Sequence, residues 1–160
     1  MSTKENKPDF KPFTYRTKDD LEKEIQRLNL KIPLNKKRDI LKTPYKLNDL
    51  IFPNRLAIQP MEGFDATNKG SPTDLTKRRY FRYAEGGVGL IWFEATAIND
   101  KCRSNAHQLM LQEGNLNNFR NLVEETRSKC NRKLKSLGFP PECKLILQLN
   151  HSGRYSKHHG

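Results

Sequence analysis

Three short stretches each end an apolar run on side chains that can bind or react. "RLAIQPMEGFDA" delivers Gln59, Glu62 and Asp65; "VGLIWFEATA" delivers Glu94 and Thr96; "LILQLNHSGR" delivers Gln148, Asn150, His151 and Arg154. Two carboxylates, Glu62 and Glu94, could serve as an acid/base pair, although sequence fixes no distance between them. His151, His158 and His159 have no cysteine or carboxylate at a ligand spacing beside them, so no metal site is expected. The glycines of "EGGVGL" precede a strand instead of joining a strand to a helix. That order makes Gly86, Gly87 and Gly89 a helix stop and strand entry, not a phosphate cradle.

These residues need elements to bring them together. "RLAIQP" reads as a first strand. "SPTDLTKRRYFRYAEGG" follows as a helix, with Ser71 as cap, Pro72 at the first helical position and Leu75, Tyr80, Tyr83 and Ala84 near one face. "VGLIWFEATA" is a second strand, apolar enough to be buried on both faces of a parallel sheet. Residues 115–137 are a second helix, with Leu116, Phe119, Leu122, Val123, Thr126, Cys130, Leu134 and Leu137 as its stripe, stopped by Gly138. "KLILQLNH" is a third strand. The order β–α–β–α–β predicts parallel strands with right-handed crossovers. In such folds ligands lie at the carboxyl ends of the strands, where the polar residues named above sit.

Upstream, residues 1–16 read as a polar arm. Thr17 caps a short amphipathic helix over residues 18–29, close to a capping-box pattern with Asp20 and striped by Leu21, Ile25 and Leu28. An extended connector broken by Pro33 and Pro44 follows. Residues 1–44 are therefore a basic N-terminal extension with one short helix, and the organised part is residues 45–160.

Composition bounds the function classes. The chain has 160 residues and a net charge of +12. Residues 1–46 carry 13 Lys/Arg against 7 Asp/Glu and residues 127–160 carry 8 against 1, while residues 47–126 carry 9 against 10. The excess sits at the two ends, so a solvated basic surface is expected over a nucleic-acid site. No apolar run reaches the roughly 20 residues a membrane crossing needs, and "MSTKENKPDFKPF" lacks the apolar core of a secretory signal. Cys102, Cys130 and Cys143 have no CxxC spacing, which suits free thiols in a reducing cytoplasm.

With these stretches in hand, "NRLAIQPMEGFDATNKGSPTDLTKRRYFRYAEGGVGLIWFEATAI" and "LILQLNHSGR" together resemble the Old Yellow Enzyme family of FMN-dependent NAD(P)H oxidoreductases. The resemblance covers roughly residues 45–157 and rests on four motifs in order: NR, PM, a Gly-Leu-Ile run ending in EA, and QLxHxGR. It implies a partial (β/α)8 TIM barrel, about the first three βα units, in the α/β class. It implies FMN as cofactor, NAD(P)H as co-substrate and a small-molecule electron acceptor such as an electrophilic alkene. Carried over residue by residue, Pro60, Met61 and Glu62 lie against the flavin, Ala95 is the small residue under the ring edge, and Gln148 pairs with the pyrimidine end. His151 and Arg154 match HxGR and are expected to tie down the loop.

Glu62 departs from the Cys or Thr of many relatives. An ionised carboxylate there would lower the flavin potential; turned away, it would pair with an arginine. The substrate-orienting residues and other catalytic groups are expected beyond Gly160, so the chain alone is expected to be inactive. The remainder of the barrel, or self-association, is the expected partner of its exposed edge. Two other readings stay open: a non-catalytic half-barrel remnant acting as a basic interaction protein, and a different β/α-barrel enzyme using Glu62 and Glu94 without flavin.

Overall fold

A computed structural model describes residues 14–34 and 38–157. The expected polar arm falls almost entirely outside the described residues, as do His158 and His159. The chain divides into two compact units, Met1–Lys37 and Arg38–Gly160.

In the first unit, helix α1 spans Lys18–Arg27. The Thr17 hydroxyl accepts the Asp20 N–H at 3.1 Å and the Asp20 carboxylate accepts the Thr17 N–H at 3.1 Å, a reciprocal capping box. No residue of α1 is buried, so its apolar stripe is not part of a core.

The second unit opens with a correction. The connector is not extended throughout: Asp39–Lys42 form a 3-10 turn. Strands β1 (Tyr45–Leu47) and β2 (Leu50–Phe52) then form an antiparallel hairpin in the register Tyr45↔Phe52 and Leu47↔Leu50. Two residues, Asn48 and Asp49, turn it, with Asn48 at φ 51°. Asparagine tolerates that left-handed conformation, and a two-residue loop suits a hairpin.

Strand β3 is only Ala57–Ile58, shorter than the predicted run. Before it, Asn54 is buried and its side chain replaces strand pairing. Its amide donates to the Gly87 carbonyl at 2.9 Å, and its Oδ1 accepts the N–H groups of Leu56 at 3.1 Å and Gly89 at 2.8 Å. A Cβ on Gly89 would lie 2.6 Å from the Asn54 carbonyl oxygen, so this approach requires glycine. Asn54→Ala would leave the Gly87 carbonyl and the Leu56 N–H without this partner, while the Gly89 N–H keeps the Leu56 carbonyl at 3.0 Å. It is expected to cost about 2 kcal/mol, read from urea unfolding; an unchanged midpoint would contradict the staple.

Helix α2 spans Asp74–Glu85. Its cap is Thr73, not Ser71, and Thr73 forms a reciprocal box with Thr76. The Ser71 N–H instead donates to the Thr67 hydroxyl at 3.0 Å, inside the loop. The helix turns Thr76, Tyr80 and Ala84 inward at i, i+4 and i+8, leaving Leu75 62% exposed where burial was expected. Strand β4 (Leu90–Ala97), helix α3 (Leu116–Ser136) and strand β5 (Lys144–Asn150) follow. The buried stripe of α3 is Phe119, Leu122, Thr126, Cys130 and Leu134; Leu116 and Leu137, at its ends, are exposed. Gly138, at φ 79°, stops the helix.

The sheet is parallel, ordered β3-β4-β5, with Ile58↔Ile91 and Phe93↔Leu147 in register. One core joins Tyr80 and Ala84 of α2, Leu122 and Leu134 of α3, and Ile91 and Phe93 of β4. Tyr80 stacks on Phe93 with ring centroids 4.4 Å apart. The second strand is not buried on both faces: Trp92 and its cross-strand neighbour Ile146 are 37% and 38% exposed. The helices cover the face of Ile91 and Phe93, and alternation sends Trp92 the other way. The pairing jumps from Phe93↔Leu147 to Thr96↔Leu149, so Glu94 and Ala95 together oppose Gln148. No helix among the described residues is long and apolar enough to cross a membrane.

Candidate functional site

The loops at the carboxyl ends of β3, β4 and β5 are sewn to one another. The Ala66 N–H donates to the His107 carbonyl at 3.1 Å, and the Met110 N–H to Gly70 at 3.0 Å. Arg103, 5% exposed, donates to the carbonyls of Asn68 at 2.9 Å and Ala106 at 2.8 Å and forms an ion pair with Asp100. The third loop joins through Ser152 N–H to the Cys102 carbonyl at 3.0 Å and Lys157 N–H to the Arg103 carbonyl at 2.8 Å. Backbone bonds of this density fix the relative placement of residues far apart in sequence.

Beneath the loops lies an ion-pair cluster. Arg79, from α2, contacts Glu94 at 2.7 Å and Asp65 at 3.0 Å. Glu94 is 1% exposed; besides Arg79 it accepts the Gly63 N–H at 2.9 Å and the Tyr80 hydroxyl at 3.1 Å. The Tyr80 oxygen in turn accepts the Glu94 N–H at 2.8 Å. Burial and then the neighbouring Glu94 push the Tyr80 hydroxyl well above the usual phenol range. Burial is the largest single influence and works against the Arg79 charge, but the hydrogen bond and charge of Glu94, with Tyr80 and Asp65, together outweigh it and raise the guanidinium. A Cβ on Gly63 would meet the Arg79 guanidinium at 2.1 Å, so this glycine lets the arginine lie flat against the chain.

This cluster corrects two expectations. Glu94 is buried and bonded on both oxygens, which removes it as the acid/base partner of Glu62. Asp65 likewise serves the cluster, accepting the Thr76 hydroxyl at 2.7 Å. Glu62 does not pair with an arginine. It is half-buried and lies 3.4 Å from the Asn105 amide and 3.3 Å from the Gln108 amide. Burial, then Glu94, push its carboxyl above the ordinary value, while the side chains of Asn105 and Ser104 pull it down.

Of the five positions assigned to a flat ring, Pro60 is half-buried and Met61 is 73% exposed. Ala95 is 6% exposed, and its carbonyl accepts the Gln108 amide at 3.2 Å. Gln148 is half-buried, with no hydrogen-bond partner for its amide among the described residues. It stands opposite Ala95 across the bulge, and Gln108 links Ala95 to Glu62. The structure thus connects Glu62, Ala95 and Gln148 across three strand ends. His151 is exposed; its Nδ1 accepts the Gly153 N–H at 2.9 Å, holding its own turn. Arg154 bonds the hydroxyl of its neighbour Tyr155 at 2.8 Å, so it braces this turn alone.

Sequence reasoning passed over Phe64, Arg79 and Gln108. Phe64 is 62% exposed beside the site and holds φ 52°, an uncommon conformation for an aromatic residue. Gln108 carried a signal, a polar residue set before the apolar run "LML". Arg79 carried none, because its pairing with Asp65 and Glu94 is long-range. Among the described residues no group of three or more His, Cys, Asp or Glu is placed to hold a metal ion.

Comparison with known proteins gives matches over part of the chain. No family model matches the chain. An NADPH dehydrogenase of Listeria welshimeri is 38% identical over 68 residues, which is 42% of this chain and 20% of that protein. Morphinone reductase in complex with tetrahydroNAD superposes with a TM-score of 0.57 at 26% identity, covering 72% of this chain and 28% of that one. The family resemblance is to the Old Yellow Enzymes, over part of their length. The Old Yellow Enzyme of Pichia sp. AKU4542 shares the fold, with a TM-score of 0.60 at 24% identity, over 73% of this chain and 28% of that one. The chain spans about a fifth of the length of the curated relatives it matches.

Proposed function

We propose that residues 45–160 are the N-terminal portion of an FMN-binding barrel, preceded by a basic extension over residues 1–44. Its activity would be that of an oxidoreductase in the Old Yellow Enzyme manner. The observation that carries this reading is the linked set Glu62–Gln108–Ala95, with the free amide of Gln148 across the bulge. Such a set fits a flat apolar ring with one polar edge. Pro60 and exposed Met61 would supply the stiff, polarizable contact surface. Gln148 would bind the edge, which presents both donors and acceptors, and Ala95 leaves room where a longer side chain would intrude.

FMN when bound would accept hydride from NAD(P)H and pass it to an electrophilic alkene or similar small-molecule acceptor. The chain's own residues would bind and orient the ring, and Glu62 would place negative charge beside it. The groups that orient the acceptor would come from the remainder of the barrel. Three free, buried thiols fit a reducing compartment, the cytoplasm.

The test uses the protein expressed from its complete coding sequence. Purified, it is expected to release FMN on denaturation, and Glu62→Gln is expected to raise the flavin midpoint potential. Protein that is folded but free of flavin, and takes none up from solution, would overturn the reading.

A further inference from the structure

Gln108 is fully buried in the loop after β4, and every hydrogen-bonding group on its side chain is engaged. Its Oε1 accepts the Ser104 N–H at 2.8 Å. A backbone N–H can only donate, so this bond fixes which end of the amide is oxygen. The nitrogen therefore faces the other way, and its two N–H groups meet two acceptors, the Ala95 carbonyl at 3.2 Å and the Glu62 carboxylate at 3.3 Å. One side chain thus spans the ends of β3 and β4.

We propose that Gln108 is a positioning residue: it holds the Glu62 carboxylate in place against the Ala95 carbonyl and so sets the charge that the ring site sees. This rests on the flavin reading only in its last clause. Without the amide, Glu62 and the Ala95 carbonyl would be two acceptors with no shared donor. The charged and titratable groups on the surrounding elements are Glu94 on β4, Arg79 on α2, Asp65 on Glu62's own loop, and Asp100, Lys101, Cys102, Arg103 and His107 on the loop of Gln108. Arg79 is committed to Asp65 and Glu94, and Arg103 to Asp100, so neither takes over the role of the amide.

The test has two readouts on the protein from the complete coding sequence. The first, on protein stripped of flavin, is a carboxyl-13C NMR titration of Glu62, assigned by its absence in Glu62→Gln. Gln108→Met keeps the length of the side chain and removes the donor, leaving Glu62 the Asn105 amide at 3.4 Å; it is expected to move the Glu62 titration up. Gln108→Leu likewise removes the donor without adding charge and is expected to move it the same way, so either variant suffices if the other fails to fold. An unmoved titration in a folded variant overturns the proposal whatever the flavin does.

The second readout is the flavin midpoint. Gln108→Met is expected to raise it in the wild-type background and to leave it in place in the Glu62→Gln background. Equal shifts in both backgrounds would show Gln108 acting independently of Glu62, and would overturn the proposal. If the wild type binds no flavin, the functional reading fails, and the titration alone decides the link between Gln108 and Glu62.

Discussion

Arg79→Ala is expected to destabilise the fold by about 3–5 kcal/mol, the cost of stranding a buried charge. Glu94 is 1% exposed and loses a 2.7 Å contact, keeping only the Gly63 N–H and the Tyr80 hydroxyl. Asp65 loses the same guanidinium, and the cation over the Tyr80 ring, at 4.9 Å, disappears. Arg79→Lys is expected to recover only part, because one ammonium cannot reproduce the fork that reaches two carboxylates. The effect is read from denaturant unfolding of Arg79→Ala, Glu94→Gln and the double variant. Glu94→Gln should make the second change much cheaper, since the uncompensated charge is gone. A loss under about 1 kcal/mol for Arg79→Ala would show the cluster to be hydrated and weak.

Gly70→Ala is expected to cost about 3 kcal/mol, from backbone strain and overpacking together. Gly70 holds φ 73°, and a Cβ there would lie 2.4 Å from the Met110 Cβ and 2.7 Å from its nitrogen. The close approach exists because the Gly70 carbonyl accepts the Met110 N–H at 3.0 Å, one of the bonds joining the loops after β3 and β4. Gly138→Ala is the matched control: its φ is 79°, with nothing within 4 Å of an added Cβ. It isolates strain from crowding and is expected to cost about 1 kcal/mol. The thermal midpoint gives both values. Equal losses would show that crowding at Met110 contributes nothing.

How much was legible in the sequence depended on distance along the chain. The helices were readable because Leu122, Thr126, Cys130 and Leu134 repeat at helical spacing, a local signal. The Thr73 cap was missed because Ser71-Pro72 is also a good helix start, and only the burial of Thr76 and Tyr80 decides between them. The hairpin at Tyr45–Phe52 was hidden by Pro44 and by exposed, unalternating strands. At the site, Glu62 and Gln148 followed from the order of elements as polar residues at strand ends, whereas Ala95 entered only through the family resemblance. The partners of Glu94 did not: Arg79 and Gly63 lie 15 and 31 residues away in sequence, and no spacing rule connects them. Glu62 was readable as a carboxylate at a strand end, but its two amide neighbours come from a loop with no regular pattern.

The extra residue in β4 has a consequence for which way the strand points. Up to Phe93, odd-numbered residues of β4 sit beside odd-numbered residues of β5; from Thr96 on, even sits beside odd. The parity of the strand reverses at Glu94–Ala95. Below that point the strand obeys the helices, alternating Ile91 and Phe93 inward with Trp92 outward. Above it the alternation starts afresh, and Thr96 and Ala97 are both buried beneath the loops. One strand therefore reads in two frames, one that packs against the helices and one that serves the site, and two adjacent residues mark the seam between them.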